Sequence, residues 1–322
     1  MVSVTIEMTI EFPKPLEELT EGELERRKAI SKIMTFTQMY LVTQFVKDGF
    51  EWLRPVILSP STDPLWPDPG ASIEKRIEIE IYGVPVRTTL SMIIHKMVAC
   101  SLLCPKLFIL SPNIRIERRE RAYTGIHLYE FTQFDFEVRD ATSQEIRSFV
   151  ERTLYRLIGE LKKYGKEELK FLGTYDKLKV EPPFKIYDRE ELEEKYGKDW
   201  EKKLVPSIRE PVWVINIPRE FYDYEGEDGK WDNYDLFLPR FGEVLSGARR
   251  EWKYEKIVKK MERDGVDKGR YKVLLKLAKE RKLKPSAGAG IGMERLVGWI
   301  AGVKHIGETQ PFPKIPGRVY EL

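Results

Sequence analysis

The run Gly288-Ala289-Gly290-Ile291-Gly292-Met293-Glu294-Arg295 stands just before an apolar helical stretch near the C-terminus. Its glycines let backbone pack closely against a neighbour. An arginine in the first turn of the following helix adds its fork of donors to the positive helix end, so a polyphosphate is the natural ligand. Two familiar glycine motifs do not fit. A dinucleotide fingerprint opens a βαβ unit with an acidic residue further on, and too few residues follow Arg295 for that unit. A Walker loop needs Lys followed by Ser or Thr, and none of Gly165-Lys166, Gly197-Lys198 or Gly229-Lys230 provides this.

Bulk properties are those of an ordinary globular chain. Its 322 residues, 42% apolar, suffice for a full core in one large domain or two modest ones. Lys plus Arg (55) against Asp plus Glu (52) leaves a net charge of +3, so no global basic field argues for nucleic acid. Cys100 and Cys104 lie one turn apart on an expected helix, and with 3 histidines in all there is neither a zinc spacing nor a disulfide framework. No apolar run approaches a membrane span, and the N-terminus lacks the features of a signal peptide. A cytoplasmic setting, with no membrane partner, is expected.

Working outward, residues 3–12 alternate like a strand, and Pro13 and Pro15 then break the pattern before a long amphipathic helix from about Glu23 to Lys47. Residues 1–22 therefore read as an N-terminal appendage to a body spanning 23–322. A Pro-rich loop covers 59–70, followed by a hairpin of 77–82 and 84–90 around Gly83. Ser91 suits the N-cap of a helix carrying Lys96. In a strand over Ile114–Glu117, Arg115 and Glu117 share a face. In a second over Leu128–Val138, Phe131, Gln133, Asp135 and Glu137 share one face while Leu128, Phe134, Phe136 and Val138 take the other. A helix over 143–164, a charged helical segment around 188–203, a strand over 212–217 and charged amphipathic helices within 251–283 are expected in the rest of the chain. Asp235, Glu243 and Arg250 fall on or beside the strands after 217. Strands interrupted by helices without regular βα alternation predict an α+β fold with an antiparallel sheet flanked by helices.

Gly49-Phe50-Glu51-Trp52-Leu53-Arg54-Pro55, the segment from Arg115 through Glu137, Gly288 through Arg295, and His305-Ile306-Gly307-Glu308-Thr309-Gln310-Pro311 stand in the order of motifs 1, 2 and 3 and the C-terminal signature of one group. From roughly Arg26 to Leu322 the chain resembles the catalytic domain of the aspartyl/asparaginyl branch of class II aminoacyl-tRNA synthetases. More narrowly, it is similar to the archaeal asparagine synthetases related to asparaginyl-tRNA synthetase, through Asp63-Pro64-Leu65-Trp66-Pro67-Asp68-Pro69 and Asn216-Ile217-Pro218-Arg219-Glu220-Phe221-Tyr222-Asp223. The tRNA ligases of this branch carry an anticodon-binding OB-fold, which the short segment before Glu23 cannot supply.

The resemblance implies an ammonia-dependent, AMP-forming ligase making asparagine from aspartate through aspartyl-adenylate, with ATP and Mg2+ as cofactors and a homodimer formed through motif 1. Arg115 would hold the α-phosphate and Arg295 the γ-phosphate; Glu117 would meet the adenine amino group, Phe131 the base, and His127 the phosphates. Asp235 and Glu243 would bind the metal. Lys96 and Arg250 would hold the aspartate carboxylate, Gln133 and Asp135 would face its amino group, and Ser91 and Ser246 complete the amino-acid set. Asp63 or Asp68 is the candidate for handling ammonium. Three departures from the branch pattern are Ile93, Ile126 and Gly307. The alternative is an aspartyl/asparaginyl-tRNA ligase catalytic module without its own anticodon domain. On the first reading tRNA is not an expected partner.

Overall fold

The computed structural model describes residues 10–64 and 73–321. The chain opens with helix α1 (Glu21–Lys47), then β1 (Glu51–Trp52), β2 (Leu58–Ser59), β3 (Ile73–Lys75), β4 (Glu78–Ile81), β5 (Val84–Thr88) and α2 (Ile93–Leu102). Next come β6 (Lys106–Ile114), β7 (Ile116–Glu117), β8 (Glu130–Arg139), α3 (Ser143–Tyr164), α4 (Lys166–Phe171), β9 (Lys185–Asp188), α5 (Arg189–Tyr196) and α6 (Trp200–Ser207). The last third holds β10 (Val212–Ile215), β11 (Asn233–Leu238), β12 (Gly242–Arg249), α7 (Tyr254–Arg263), α8 (Lys272–Lys279), β13 (Ser286–Gly292) and α9 (Met293–Ala301).

Local chemistry sets the long helices. Thr20 and Glu23 close a reciprocal capping box at the start of α1, and Thr142 and Glu145 do the same for α3, so each helix begins where its free N–H groups find acceptors. The β4–β5 hairpin turns through Tyr82 and Gly83, both with positive φ (50° and 76°), which matches the strands' twist.

The main sheet has 8 strands in the order β1-β6-β8-β13-β12-β11-β10-β9. Its interior pairs are antiparallel, and the parallel pairs β1·β6 and β9·β10 lie at the two edges. This is the expected α+β architecture. The period of two in β8 divides its two jobs. Phe134 and Phe136 point into the core, where Phe45 of α1 lies with ring centroids 4.7 Å and 5.2 Å away. Gln133, Asp135 and Glu137 take the other face, toward α2. Helices α1, α3 and α9 cover the first face; α2, α7 and α8 form a second apolar cluster with Phe221 and Tyr222.

Several boundaries differ from the sequence reading. The strand expected over 114–117 breaks at Arg115, whose carbonyl accepts from Glu117 N at 2.7 Å while its own N–H is bonded to Tyr129 O. The break ends β6 and starts β7 in another sheet. Ser91 is not the cap of α2. Met92 occupies that position, although the Ser91 hydroxyl still accepts from Ile93 N at 3.2 Å. The charged segment after 188 is two short helices rather than one. Residues 3–9 of the expected first strand lie outside the described residues, and 10–12 form no strand. The described part of the appendage packs on the body: Arg27 donates to Lys14 O, Gly307 O and Gln310 O, and Tyr320 Oη donates to Pro13 O.

The glycine run pairs with β8 on one side and β12 on the other. A Cβ at Gly288 would stand 2.2 Å from Phe136 O and 2.3 Å from Glu137 Oε2. Gly288→Ala therefore forces two central strands apart and should cost about 3 kcal/mol or more in urea unfolding. Gly22→Ala, with nothing within 4 Å, should change stability by less than about 0.5 kcal/mol.

Candidate active site

Two adjoining cavities open on the sheet face opposite the phenylalanine core. The first, about 220 Å³, is lined by residues from β7, β8, β12, β13 and α9, among them Arg115, Glu117, His127, Phe131, Glu243 and Arg295. Arg115 and Arg295 come from distant stretches of sequence and meet in this one space. The Arg115 guanidinium lies over the Phe131 ring at 5.2 Å and is anchored through Nε and Nη2 on Leu90 O at 3.0 Å and 2.9 Å. Arg295 is anchored by Nε on Ile126 O (3.0 Å) and by Nη1 on Glu243 O (2.8 Å). Each guanidinium is fixed by backbone and keeps N–H groups for an anion. The carbonyl that holds Arg295 belongs to Ile126, one of the departures noted in the sequence.

Glu117 and His127 show what else this cavity can bind. Glu117 Oε2 is buried without a hydrogen-bond partner, and burial raises its carboxyl above the usual range against the pull of Arg115. Such an acceptor awaits a donor. Burial first, and then Arg295, Arg121 and Arg115, push His127 down to about 2, so its ring is neutral. The Thr124 hydroxyl spends its proton on Arg121 O (2.7 Å), so its contact with His127 Nδ1 at 2.6 Å is one in which Nδ1–H donates. Nε2 then carries the ring's lone pair, and a contact with phosphate requires the ring to take up a proton.

The second cavity, about 180 Å³, shares Arg115, Gln133, Glu243 and Gly290 with the first. It also gathers Ser91, Lys96, Asp135, Ser246 and Arg250, the whole amino-acid set expected from sequence, together with Ile93 and Asp63. Its charges are strongly paired. Lys96 Nζ donates to Asp135 Oδ1 at 3.0 Å, Ala289 O at 3.3 Å and Phe136 O at 3.4 Å. Arg250 Nε and Nη2 meet the two oxygens of Glu137 at 3.2 Å and 3.5 Å, and Nη1 donates to Asp223 Oδ1. The two cations assigned from sequence to a substrate carboxylate are therefore already neutralised from within, and a substrate must displace Asp135 or Asp223 to reach them.

A match to the family described as tRNA synthetases class II (D, K and N) spans residues 88–316. The chain belongs to this family. It is 27% identical to the asparagine–tRNA ligase of Thermoplasma acidophilum over 65% of this chain and 53% of that protein. It is 26% identical to that of Mycoplasmopsis pulmonis over 98% of this chain and 76% of that one. Several curated relatives are thus matched along little more than half their length, 53% and 52% in two cases. Among solved structures, asparaginyl-tRNA synthetase from Pyrococcus horikoshii complexed with asparaginyl-adenylate superposes with a TM-score of 0.81 at 24% identity, covering 96% of this chain and 76% of that one. The names of these relatives run against the expectation that tRNA is not a partner.

In this class II synthetase chain, Asp235 departs from its expected place. It does not line either cavity; it is ion-paired to Arg219, a partner the sequence reading did not assign. Its other oxygen, Oδ1, is buried without a hydrogen-bond partner, and burial raises its carboxyl while Arg219 opposes the rise. Glu243 faces both cavities, 3.7 Å from Arg295 Nη1. Among the described residues no three His, Cys, Asp or Glu side chains converge on a metal position. Two carboxylates, one with an orphaned oxygen, suit a hard cation whose remaining ligands come from phosphate and water. Asp68 lies outside the described residues.

Arg219, Glu220, Tyr222 and Asp223, which carry the narrower resemblance but no expected role, all line the second cavity. Their signal was the density of charge directly after the buried strand β10. Glu294 was also unassigned. Both of its oxygens accept from Thr132 N at 3.0 Å, and Gln310 Nε2 stands 3.3 Å from one of them, so it ties β8 to α9 beside Phe131 and Arg295. Burial raises its carboxyl to about 7, with Glu130 adding to the rise and the hydrogen bonds opposing it.

A folded-state value above the unfolded one means that this contribution to stability is full below about pH 4.5 and is lost as pH rises through about 7. Thermal unfolding followed from pH 5 to 8 should show Glu294→Gln losing up to about 3 kcal/mol less stability than the parent over that interval. Equal slopes would mean that Glu294 is ionised throughout.

Proposed function

We propose that this protein is an ATP-dependent ligase that activates aspartate as its adenylate and passes the acyl group to ammonia, giving asparagine, AMP and pyrophosphate. The observation that carries the activation step is the meeting of Arg115 and Arg295 in one cavity that opens into a second, amino-acid-sized cavity through Arg115, Gln133 and Glu243. Adenine would sit against Phe131 with its amino group on the orphaned Glu117 oxygen, Arg115 on the α-phosphate and Arg295 at the far end of the tail. A carboxylate oxygen of the substrate then attacks the α-phosphorus, the bond to the β-phosphate breaks, and pyrophosphate leaves. Fixed guanidinium groups stabilise the charge that shifts along the phosphates. Mg2+, when held by Glu243 and Asp235, offsets phosphate charge.

The acid-rich wall of the second cavity supports ammonia as the acceptor. Asp63 accepts from Tyr222 Oη at 2.9 Å, and Glu220 is raised well above the usual range first by burial and next by Asp63. In this reading the substrate carboxylate takes Arg250 from Asp223, and the acidic wall receives ammonium and removes its proton. Ammonia then attacks the acyl carbon, the C–O bond to AMP breaks, and the second proton leaves to the same wall. The apolar side chains exposed along α1 and β1, Met39, Val46 and Trp52, support the dimer implied by motif 1. A second reading, a tRNA ligase catalytic module that aminoacylates tRNA, is favoured by the names of the relatives.

Aspartate-dependent exchange of pyrophosphate into ATP should fall about 10²–10³-fold in Arg115→Gln or Arg295→Gln. Supplying ammonium or tRNA to the full reaction should yield free asparagine with ammonium; charged tRNA without free asparagine would establish the second reading instead. Isoasparagine as product would mean that the α-carboxyl is the one activated. Glu220→Gln and Asp63→Asn should each lower ammonium-dependent turnover more than pyrophosphate exchange, and equal losses in the two assays would remove these residues from ammonia handling.

A further inference from the structure

The loop that carries Asp63 has a second side. Asp63 faces the amino-acid cavity, whereas its neighbours Thr62 and Pro64 face a separate cavity of about 320 Å³ that also takes in Arg76, Arg87, Arg270 and Tyr271. None of these residues belongs to the site described above.

The charges of this cavity do not balance. Arg87 and Arg270 share one carboxylate, Glu78, which Arg87 Nε holds closely and Arg270 Nη2 meets at 3.5 Å. Arg270 has a further, looser contact with Asp267 at 3.8 Å, and the Asp267 side chain is 70% exposed. Asp264, also on the rim, is already held by Arg263 at 2.7 Å. Arg76 has no carboxylate within ion-pair distance among the described residues. Among the described residues its hydrogen bond is from Nη2 to Pro64 O at 2.6 Å. It is partly buried, and burial first, then the like charge of Arg87, work against its protonated form.

We propose that this cavity is a binding site for a small oxyanion of the phosphate class. Guanidinium forks match the paired oxygens of phosphate, and Arg76, with no carboxylate at ion-pair distance among the described residues, supplies the positive charge that an oxyanion would meet. Binding here is coupled to the neighbouring site through the loop: Arg76 holds Pro64 O, and Tyr271 Oη donates to Thr62 O at 2.7 Å, so the two residues flanking Asp63 are fixed from the anion side. The inference does not depend on which acceptor the enzyme uses.

Calorimetric titration of the whole protein with inorganic phosphate, at constant ionic strength set with chloride, tests the assignment. The parent protein should bind phosphate saturably. Arg76→Gln should weaken this binding by about tenfold or more, Arg76→Lys should weaken it less, and the double variant Arg115→Gln, Arg295→Gln should keep it. Should Arg76→Gln fail to fold, Arg270→Gln on the rim gives the same reading. Absence of saturable binding in the parent, binding indifferent to both Arg76 and Arg270, or binding abolished by the Arg115/Arg295 pair would each overturn the proposal. Displacement of bound phosphate by a short RNA but by no phosphate monoester would overturn the small-anion assignment in favour of a nucleic-acid contact.

Discussion

Beneath the second cavity runs a buried ion network on which the rest of the site depends. Lys96 of α2 reaches Asp135 on β8 and lies 3.7 Å from Glu137; Glu137 receives Arg250 from the end of β12; and Arg250 reaches Asp223 in the connection after β10. Four separated segments are thereby pinned to one face of the sheet. Removing such charges from water costs several kcal/mol per ion, and that cost is offset only when every partner is present with good geometry. Loss of one member leaves an uncompensated buried charge, so these residues stand or fall together.

The network also sets what the cavity can recognise. Arg250 spends its fork on Glu137 and Asp223, and Lys96 spends its three protons on Asp135 and two carbonyls. A substrate carboxylate thus enters by exchange with an internal carboxylate rather than by meeting a bare cation. The displaced internal carboxylate stays in the pocket, so it must meet a new partner, the substrate ammonium group or a proton, to escape the cost of an unpaired buried ion. The nucleotide cavity is built on the opposite principle. Its two arginines are anchored mainly on backbone carbonyls, which orient a guanidinium without cancelling its charge.

Much of this was legible in the sequence because it follows from short-range periodicity. The alternation in β8 assigned Phe134 and Phe136 to the core and Gln133, Asp135 and Glu137 to the site, and a two-residue repeat allows no other outcome once one face is apolar. The hairpin turn around Gly83 is equally local. The break at Arg115 was not, since its N–H is taken by Tyr129 O while its carbonyl turns to the Glu117 N–H. Nor was the cap of α2, where Met92 rather than Ser91 holds the position.

The sequence by itself determined the fold class, the motif order and most, not all, of the side chains that converge on the sheet face. Strand periodicity, glycine steric freedom and capping act over a few residues and are written in adjacent letters. Only the tertiary structure decided how those side chains are spent. Asp235 turns to Arg219, Asp223 occupies Arg250, and Arg76 is left without a carboxylate among the described residues, because pairing among buried charges is settled by distances between segments far apart in the chain. Electrostatic partnership within a few ångströms carries no sequence spacing, so it becomes visible only when the segments are folded together.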